Sequence, residues 1–411
     1  MKLGYFANQN DLGLRKPFHQ VMAETREIAR TCEAAGWDSI WFTEHHFGFE
    51  GYEVCPNPVL MSADIAAHTK SIRLGQAANI VTFWNPLRLA EDIAVLDHMS
   101  GGRVEVGLGR GLYGREALQL NKAADTRNEE QNRAIFEESV EILRRAWSNP
   151  YFDFNGKVYR YPDPNYVWDH ALSPKSATYQ NLETKELTKL ALVPRPLQQP
   201  HPPLWQVIDT PRSIQWAAEH DLQGMFWIPP VASLKGRFEL YRDTAANARG
   251  RDVALGEGLC LVRDLYVAET MEEAKRAAGE GILAYLRWVC HWRGLGNHLM
   301  PGEELPKTPG KLDTLTYDWL HPRNLLFGTP DYVVEKIQEL QETLNLQYLL
   351  VWSSFPGVSH DKVMRSLRLF NEAVLPRIRP QALHGERASF DSRAAHSEPR
   401  FSASRQARGS G

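Results

Sequence analysis

The sequence predicts an α/β fold, namely a (β/α)8 TIM barrel with insertions after the fourth and seventh strands. Apolar strand patterns and helical patterns alternate eight times over roughly 380 residues, which is the βα repeat and the length expected for this barrel with insertions. The second strand, DSIWFT at 38–43, is apolar nearly throughout, as expected of a parallel strand that is covered on both faces. A doubly wound sheet shows the same alternation and is the structural alternative.

Each strand pattern ends where glycine or polar residues begin, and a helical pattern follows it. The first helix, 18–35, carries Ile28, Cys32 and Ala35 on one stripe and is ended by Gly36. Strands are predicted at 2–7, 38–43, 72–81, 103–108, 204–208, 224–228, 259–267 and 348–353. Further helices are predicted at 58–69, 87–99, 128–147, 213–219, 233–249, 271–289, 330–344 and 361–375.

One barrel domain, residues 1–380, is predicted to hold all of these elements. Its two insertions, at about 151–203 and 290–328, are irregular and rich in proline and aromatic residues, and segments this long usually serve a function. The second insertion follows the seventh strand, where it is placed to cover the barrel mouth. Residues 381–411 have almost no apolar pattern, so a disordered C-terminal tail is predicted there.

Composition excludes several classes of protein. The formal net charge of −3 gives no sign of a nucleic-acid or anionic-membrane partner. The apolar runs are short, so no transmembrane span is predicted, and no signal-peptide core follows Met1. The four cysteines are scattered without C-x-x-C spacing, which predicts thiols in a reducing cytoplasm rather than disulfides or a zinc site.

The fourth strand ends in RVEVGLGRGLYG, where alternating apolar residues give way to glycines and one arginine, Arg110. Chemistry in this barrel lies at the carboxyl ends of the strands. Arg110 is therefore predicted to bind a phosphate, while the glycines beside it let a flat ring approach the backbone. The G-x-G-x-x-G spacing is a weak dinucleotide signal, because no acidic ribose partner follows at the right distance. A turn that merely needs glycine is the alternative.

Residues 209–213 follow the fifth strand and open a helix. Thr210 and Ser213 offer hydroxyl and backbone N–H donors at the helix start, which suits a phosphate. Plain N-capping is the alternative. Asp209 has the wrong charge for a phosphate site, unless it anchors an arginine there or accepts a hydrogen bond from a cofactor hydroxyl.

The second strand ends in Glu44, His45 and His46. Adjacent residues at a strand end point to opposite sides, so only one of the two histidines is expected to face the barrel mouth. No metal is predicted, because no further ligands with suitable spacing follow. An imidazole that donates or accepts a proton near neutral pH is favoured, and a structural histidine pair is the alternative.

Together these stretches resemble the bacterial luciferase-like flavin monooxygenases, including the catalytic subunit of bacterial luciferase. The resemblance covers most of residues 1–380 and is carried by segments 1–6, 35–47, 74–86, 91–103, 110–113, 216–218 and 328–330. It implies a barrel that uses reduced FMN and dioxygen, with the flavin supplied by a separate flavin reductase. Dioxygen would add to the flavin to give a peroxyflavin, which oxygenates a hydrophobic or aromatic small molecule.

The resemblance also implies roles for single residues. His45 matches the catalytic histidine of the family, and Arg110 matches an arginine that holds the flavin phosphate. Arg133 matches a second phosphate arginine. Ala77 and Ala78 match the segment beneath the flavin, where the family often has a cis peptide bond.

Three further matches lie on the phosphate side of the flavin, at Asp209, Thr210 and Ser213, and Asp209 is shorter than its counterpart. Gly109 replaces the reactive cysteine of luciferase and leaves more room beside the flavin. That replacement argues against light emission rather than against oxygenation.

Two other functions are left open. A reductase or dehydrogenase of the same superfamily would use a deazaflavin or a flavin for hydride chemistry. A non-catalytic flavin-binding subunit would instead serve a catalytic partner chain. A homo- or heterodimer is expected, with helices 58–69 and 87–99 as its face, although these helices equally suit packing within one barrel. The indoles proposed to line an apolar substrate cavity are those of Trp41, Trp84, Trp227 and Trp352, and packing in the core is the alternative.

Overall fold

A closed barrel of parallel strands forms the centre of the computed structural model, which describes residues 1–305 and 314–379. The described strands are β1 (Lys2–Ala7), β2 (Ser39–Phe42), β3 (Arg73–Gln76), β4 (Asn79–Ile80), β5 (Val104–Gly109), β6 (Phe154–Asn155), β7 (Arg160–Tyr161), β8 (Leu204–Val207), β9 (Gln223–Trp227), β10 (Leu259–Val267), β11 (Leu325–Gly328) and β12 (Tyr348–Trp352). The ring runs β1, β2, β3, β5, β8, β9, β10, β12 and returns to β1. The predicted (β/α)8 barrel is therefore confirmed, and the doubly wound alternative is wrong.

Helices cover the outside of the barrel and bury its outer apolar layer. They are α1 (Phe18–Ala34), α2 (Pro58–His68), α3 (Pro86–Ser100), α4 (Gly114–Leu120), α5 (Glu129–Ser148), α6 (Pro211–Glu219), α7 (Val231–Arg249), α8 (Met271–Arg293), α9 (Tyr317–Asn324), α10 (Pro330–Leu344), α11 (His360–Leu369) and α12 (Leu375–Ile378). Across the described ranges, no helix combines the length and the apolar character that a membrane crossing requires.

The third barrel position consists of two short strands, so the continuous strand predicted at 72–81 is wrong. β3 ends at Gln76, and β4 continues beside β5 from Asn79. The amide of Asn79 bridges the break, because its Nδ2 donates to Oε1 of Gln76 at 3.3 Å and to the carbonyl of Gly107 at 3.2 Å. The break lies at the carboxyl end of the barrel, where the candidate site is found.

Aromatic side chains plug the barrel interior below that end. Trp41, Trp205 and Tyr348 are buried, and their rings meet edge to face with centroids 5.6 Å apart for Trp41–Trp205 and 5.5 Å apart for Trp205–Tyr348. Gly75 leaves the space that Trp41 occupies, since a Cβ atom there would lie 2.1 Å from the indole ring. The plug leaves room for a ligand only at the ends of the barrel.

Two segments interrupt the βα alternation. Between α5 and β8 lie the hairpin β6–β7 and a series of turns. After α8 the chain is more regular than predicted, because α8 continues to Arg293 and residues 317–328 form α9 and β11, which pairs with the outer half of β10. Residues 306–313 of this segment, and the predicted tail at 381–411, lie outside the described residues.

Two glycine substitutions test this packing. Gly75→Ala is expected to lower the free energy of unfolding by about 1–3 kcal/mol, because the added methyl group overpacks the barrel against Trp41. Gly236→Ala in α7 is expected to raise it by about 0.5–1 kcal/mol, because that exposed position has open space and alanine favours the helix. Thermal melting followed by circular dichroism compares the two variants, and equal shifts would contradict the described interior.

Candidate active site

The carboxyl ends of the barrel strands enclose a cavity of about 380 Å³, a volume typical of small-molecule sites. A larger recess of about 860 Å³ lies at the opposite end, beside Met1 and Gln347, but none of the predicted site residues lines it. Arg133 is the one predicted site residue that does not line the smaller cavity. Those that do are His45, Ala77, Ala78, Gly109, Arg110, Asp209, Thr210 and Ser213.

The buried carboxylate of Glu44 determines which histidine faces the cavity. It accepts hydrogen bonds from Nε2 of His46 at 2.9 Å, from the backbone N–H of Ile80 at 2.8 Å and from Nε1 of Trp84 at 3.0 Å. His46 is thereby held outside the cavity, and its chain neighbour His45 lines it. The prediction that one histidine faces the mouth is correct, and the structural alternative describes His46.

His45 lies against two buried carboxylates. Its Nδ1 is 3.3 Å from Oε2 of Glu53 and 3.5 Å from Oε1 of Glu116. Glu53 also accepts a hydrogen bond from the hydroxyl of Tyr285 at 2.7 Å, and Glu116 accepts one from the backbone N–H of His46 at 2.7 Å. Because Nδ1 faces the carboxylates, Nε2 is the ring nitrogen left for a ligand. Within residues 1–305 and 314–379, no cluster of three or more ligating side chains is arranged to hold a metal ion.

Burial and charge act in opposite directions on this imidazole. Burial favours the neutral ring, but the negative charges of Glu53 and Glu116 outweigh burial, so the pKa of His45 is raised above its ordinary value. Burial also raises the pKa of Glu53, while His45 and the hydroxyl of Tyr285 oppose that rise. The imidazole consequently keeps its proton to higher pH, which suits a proton donor.

Two arginines, Arg110 of the cavity wall and Arg133 behind it, lie near one carboxylate oxygen of Glu129. Oε1 of Glu129 lies 2.8 Å from Nη2 of Arg133 and 3.8 Å from Nη2 of Arg110. The side chain of Glu129 is 58% exposed, whereas that of Arg133 is only 6% exposed. Burial and the charge of Arg133 lower the pKa of Arg110, as expected for neighbouring cations. The pair forms an anion site in which the Glu129 carboxylate is the resident anion.

The start of α6 flanks the same end of the cavity. Thr210 and Ser213 form a capping box, in which Ser213 Oγ accepts from the Thr210 N–H at 3.0 Å and Thr210 Oγ1 accepts from the Ser213 N–H at 3.3 Å. The N-capping alternative thus describes the local structure. Asp209 accepts from Nη1 of Arg237 at 3.1 Å and from Nδ2 of Asn297 at 2.7 Å, so it anchors an arginine.

The wall between the two ends is built from small residues. The peptide bond between Ala77 and Ala78 is cis, as the resemblance implied, and both residues line the cavity. Gly109 stands on the neighbouring strand, where a Cβ atom would lie 3.0 Å from Cδ1 of Ile80 and 3.2 Å from Cβ of Ala78. A side chain at position 109 would press on this wall, so glycine keeps this part of the cavity open.

Sequence reasoning missed four residues of the site. Glu53 lies in a loop and Glu116 in the short helix α4, and neither belongs to a motif that marks it. A signal for the other two, Tyr285 and Arg293, exists, because they and Val289 follow one another at intervals of four residues and line the cavity from one face of α8.

Three of the four indoles proposed for the cavity wall are elsewhere. Only Trp227 lines the cavity. Trp41 belongs to the aromatic plug, Trp84 binds Glu44, and Trp352 is buried with its ring centroid 4.7 Å from that of Tyr285. The prediction is therefore wrong for these three, because their rings pack against other aromatic rings or donate to a buried carboxylate.

Comparison with known proteins identifies the family. A family model described as luciferase-like monooxygenase matches residues 1–346. The oxygenase component of flavin-dependent trigonelline monooxygenase from Acinetobacter baylyi is 27% identical over 388 residues, which cover 91% of this chain and 95% of that protein. The predicted resemblance to luciferase-like monooxygenases, and with it the predicted class of oxidoreductase, is confirmed.

Solved structures share the fold. The monooxygenase RslO1 from Streptomyces bottropensis has a TM-score of 0.71 at 24% identity, and the match covers 92% of this chain and 99% of that one. An F420-dependent secondary alcohol dehydrogenase has a TM-score of 0.63 at 17% identity, again covering 92% and 99% of the two chains. Likeness at these identities concerns the barrel alone.

The contacts of His45 predict how its titration responds to mutation. Glu53→Gln is expected to lower the pKa of His45, because burial persists while one of the two opposing charges is removed. Nuclear magnetic resonance of the Cε1 proton of His45 measures this pKa. Glu50→Gln is the matched control, since Glu50 lies in the same loop but pairs with Arg115. An unchanged pKa in Glu53→Gln would contradict the described contacts.

Proposed function

Because the chain belongs to the luciferase-like monooxygenase family, we propose that it is the oxygenase component of a two-component monooxygenase. It uses reduced FMN and dioxygen to oxygenate a hydrophobic or aromatic small molecule, and a separate flavin reductase supplies the flavin. The observation that carries this proposal is one cavity that both Arg110 and His45 line, with a second arginine, Arg133, beside Arg110 and the Nε2 atom of His45 left for a ligand.

The relative from Acinetobacter baylyi supports the two-component arrangement, because it is named as an oxygenase component. Trigonelline is the substrate named for that protein. For the present chain the proposal is based instead on its own cavity, whose wall includes the apolar side chains of Val207, Met225 and Val262. A wall of this kind favours an apolar molecule and excludes water from the reaction.

The residues present fit a flavin phosphate. Nε of Arg133 is buried and has no hydrogen-bond partner within the described part of the chain. Because buried donors are normally paired, this N–H group is available to a ligand acceptor. Arg110 holds its anionic neighbour only at 3.8 Å. We infer that the exposed Glu129 carboxylate stands where a phosphate oxygen binds and rotates outward when the phosphate arrives.

The remaining predicted residues are proposed to surround the phosphate and the ring of the flavin. Thr210 and Ser213 flank the phosphate at the start of α6, where the helix dipole favours an anion. Asp209 acts through Arg237, which it holds in place. Ala77, Ala78 and Gly109 form the wall against which the flavin ring lies.

Reduced FMN, when bound, supplies the two electrons with which dioxygen is activated. His45 contributes the proton. Glu53 and Glu116 hold Nδ1 and favour the protonated ring, so that Nε2–H points at the cavity and donates to an oxygen atom that gains negative charge. Tyr285 fixes Glu53 through its hydroxyl and thereby fixes the orientation of the ring.

Two alternative functions can be tested against the proposed oxygenase. A deazaflavin-dependent dehydrogenase shares the fold at 17% identity, and reconstitution with each cofactor separates the two functions. A non-catalytic subunit would have no need of the two buried carboxylates beside His45. For the quaternary structure we propose a dimer through α2 and α3, whose Leu60 and Met99 are 65% and 60% exposed.

Cofactor affinity tests the phosphate site. Arg110→Gln and Arg133→Gln are each expected to weaken FMN binding by at least about tenfold, because a charge-assisted hydrogen bond is lost. Riboflavin, which lacks the phosphate, is expected to bind each variant as it binds the unmodified protein. Quenching of flavin fluorescence measures both affinities.

Glu129→Gln is the control of opposite sign in the same cluster. It removes the resident anion, so FMN affinity is expected to stay constant or to rise. Weaker FMN binding in Glu129→Gln, or equal losses of FMN and riboflavin in the arginine variants, would place the phosphate elsewhere.

Oxygen incorporation tests the activity. With an added flavin reductase, FMN and ¹⁸O₂, the protein is expected to transfer one labelled atom to a member of a panel of apolar aldehydes, ketones and aromatic compounds, read by mass spectrometry. His45→Ala is expected to lower the rate by at least about a hundredfold, as loss of a general acid does. Hydride transfer with a deazaflavin in place of labelled product, or full activity in His45→Ala, would overturn the proposal.

A further inference from the structure

One cation of the cavity wall, Arg293, has no ion-pair partner within the part of the chain that the structure describes. Arg293, the last residue of α8, lines the cavity and is exposed to it. Within residues 1–305 and 314–379 its guanidinium makes neither an ion pair nor a hydrogen bond to a protein atom. Cζ of Arg293 lies over the ring of Trp227, 5.8 Å from its centroid.

The acidic residues of the cavity wall are all engaged by other groups. Glu44 holds His46, and Asp209 holds Arg237. The remaining two acids, Glu53 and Glu116, lie 3.3 and 3.5 Å from Nδ1 of His45, and Glu53 also accepts a hydrogen bond from the hydroxyl of Tyr285. Within the described residues, none of these four carboxylates forms an ion pair with Arg293.

The position of Arg293 on α8 relates it to the reacting end of the cavity. Tyr285, Val289 and Arg293 follow one another at intervals of four residues on one helix face. At about 1.5 Å per residue, Arg293 lies roughly 12 Å along the helix axis from Tyr285, which binds the partner of His45. The long side chain of Arg293 reaches back from this point toward the indole of Trp227.

The charge of Arg293 affects the pKa values of titratable side chains that line the cavity. Burial and the charge of Arg293 both act to lower the pKa of His45, whereas burial raises the pKa values of Tyr113 and Tyr285 and the charge of Arg293 opposes that rise. An anionic group of a ligand in this cavity would therefore find its complement at Arg293.

We propose that Arg293 is the specificity-determining residue of the substrate site and that the substrate is a small organic carboxylate. Its carboxylate pairs with the guanidinium of Arg293, and its apolar body lies against Trp227 and the aliphatic wall. A planar guanidinium offers two parallel donors to a carboxylate, which suits a single, bidentate anchor. The inference rests on the proposed function only in placing the substrate in this cavity.

Equilibrium binding tests the inference without any turnover. Isothermal titration calorimetry, with the protein saturated by oxidised FMN and without reductant, compares three acids with their amides. The pairs are benzoate and benzamide, phenylacetate and phenylacetamide, and cyclohexanecarboxylate and its carboxamide. At least one acid is expected to bind about tenfold or more tighter than its amide, because only the acid forms a charge-assisted pair.

Arg293→Gln is expected to remove this preference and to leave the amide affinities unchanged. Arg293→Lys is expected to keep part of the preference, because the charge remains while the bidentate geometry is lost. Arg276→Gln is the matched control, since it removes the same charge from an exposed position of the same helix. Thermal melting verifies that each variant is folded.

The inference is overturned if the unmodified protein prefers none of the acids, or if Arg293→Gln keeps the preference that Arg276→Gln keeps. These results do not depend on oxygenation. A protein that selects carboxylates through Arg293 but never incorporates labelled oxygen would retain this site and lose the proposed function. A protein that oxygenates neutral compounds without any preference for acids would do the reverse.

Discussion

The hydrogen bonds of the buried Glu44 carboxylate are the constraint on which the rest of the site depends. One carboxylate joins the end of β2 to β4 and to the indole of Trp84. It also holds His46 outside the cavity, and the extended chain then directs His45 into it. A buried carboxylate is stable only when such donors satisfy it, so the donors and the carboxylate fix one another.

The cavity built on this constraint has two chemically different ends. Beside one end, Oε1 of Glu129 lies 2.8 Å from Nη2 of Arg133 and 3.8 Å from Nη2 of Arg110, and we propose that an anion of the ligand takes the place of this oxygen. At the other end two carboxylates surround an imidazole, which is an arrangement for holding a proton. The uncharged wall of Ala77, Ala78 and Gly109 separates them, so each end keeps its own electrostatic character.

Part of this arrangement could be predicted from sequence, because it depends on local patterns. The alternation of strands and helices indicated the barrel, and the position of Arg110 and His45 at strand ends indicated the cavity. The residues missed depend on long-range contacts. Glu53 gains its importance only from Tyr285, which lies 232 positions later in the chain. Trp352 is predicted to line the cavity but is buried behind its wall, because a sequence does not distinguish a side chain that faces a site from one that packs beside it.

A crystal structure of the protein with bound FMN tests the central claim most directly. We expect the phosphate to bind between Arg110 and Arg133, with Glu129 rotated outward and the flavin ring against Ala77 and Ala78. We also expect Nε2 of His45 to face the ring or the space above it, with Nδ1 still held by Glu53. A phosphate bound away from both arginines, or a ring outside this cavity, would contradict the claim.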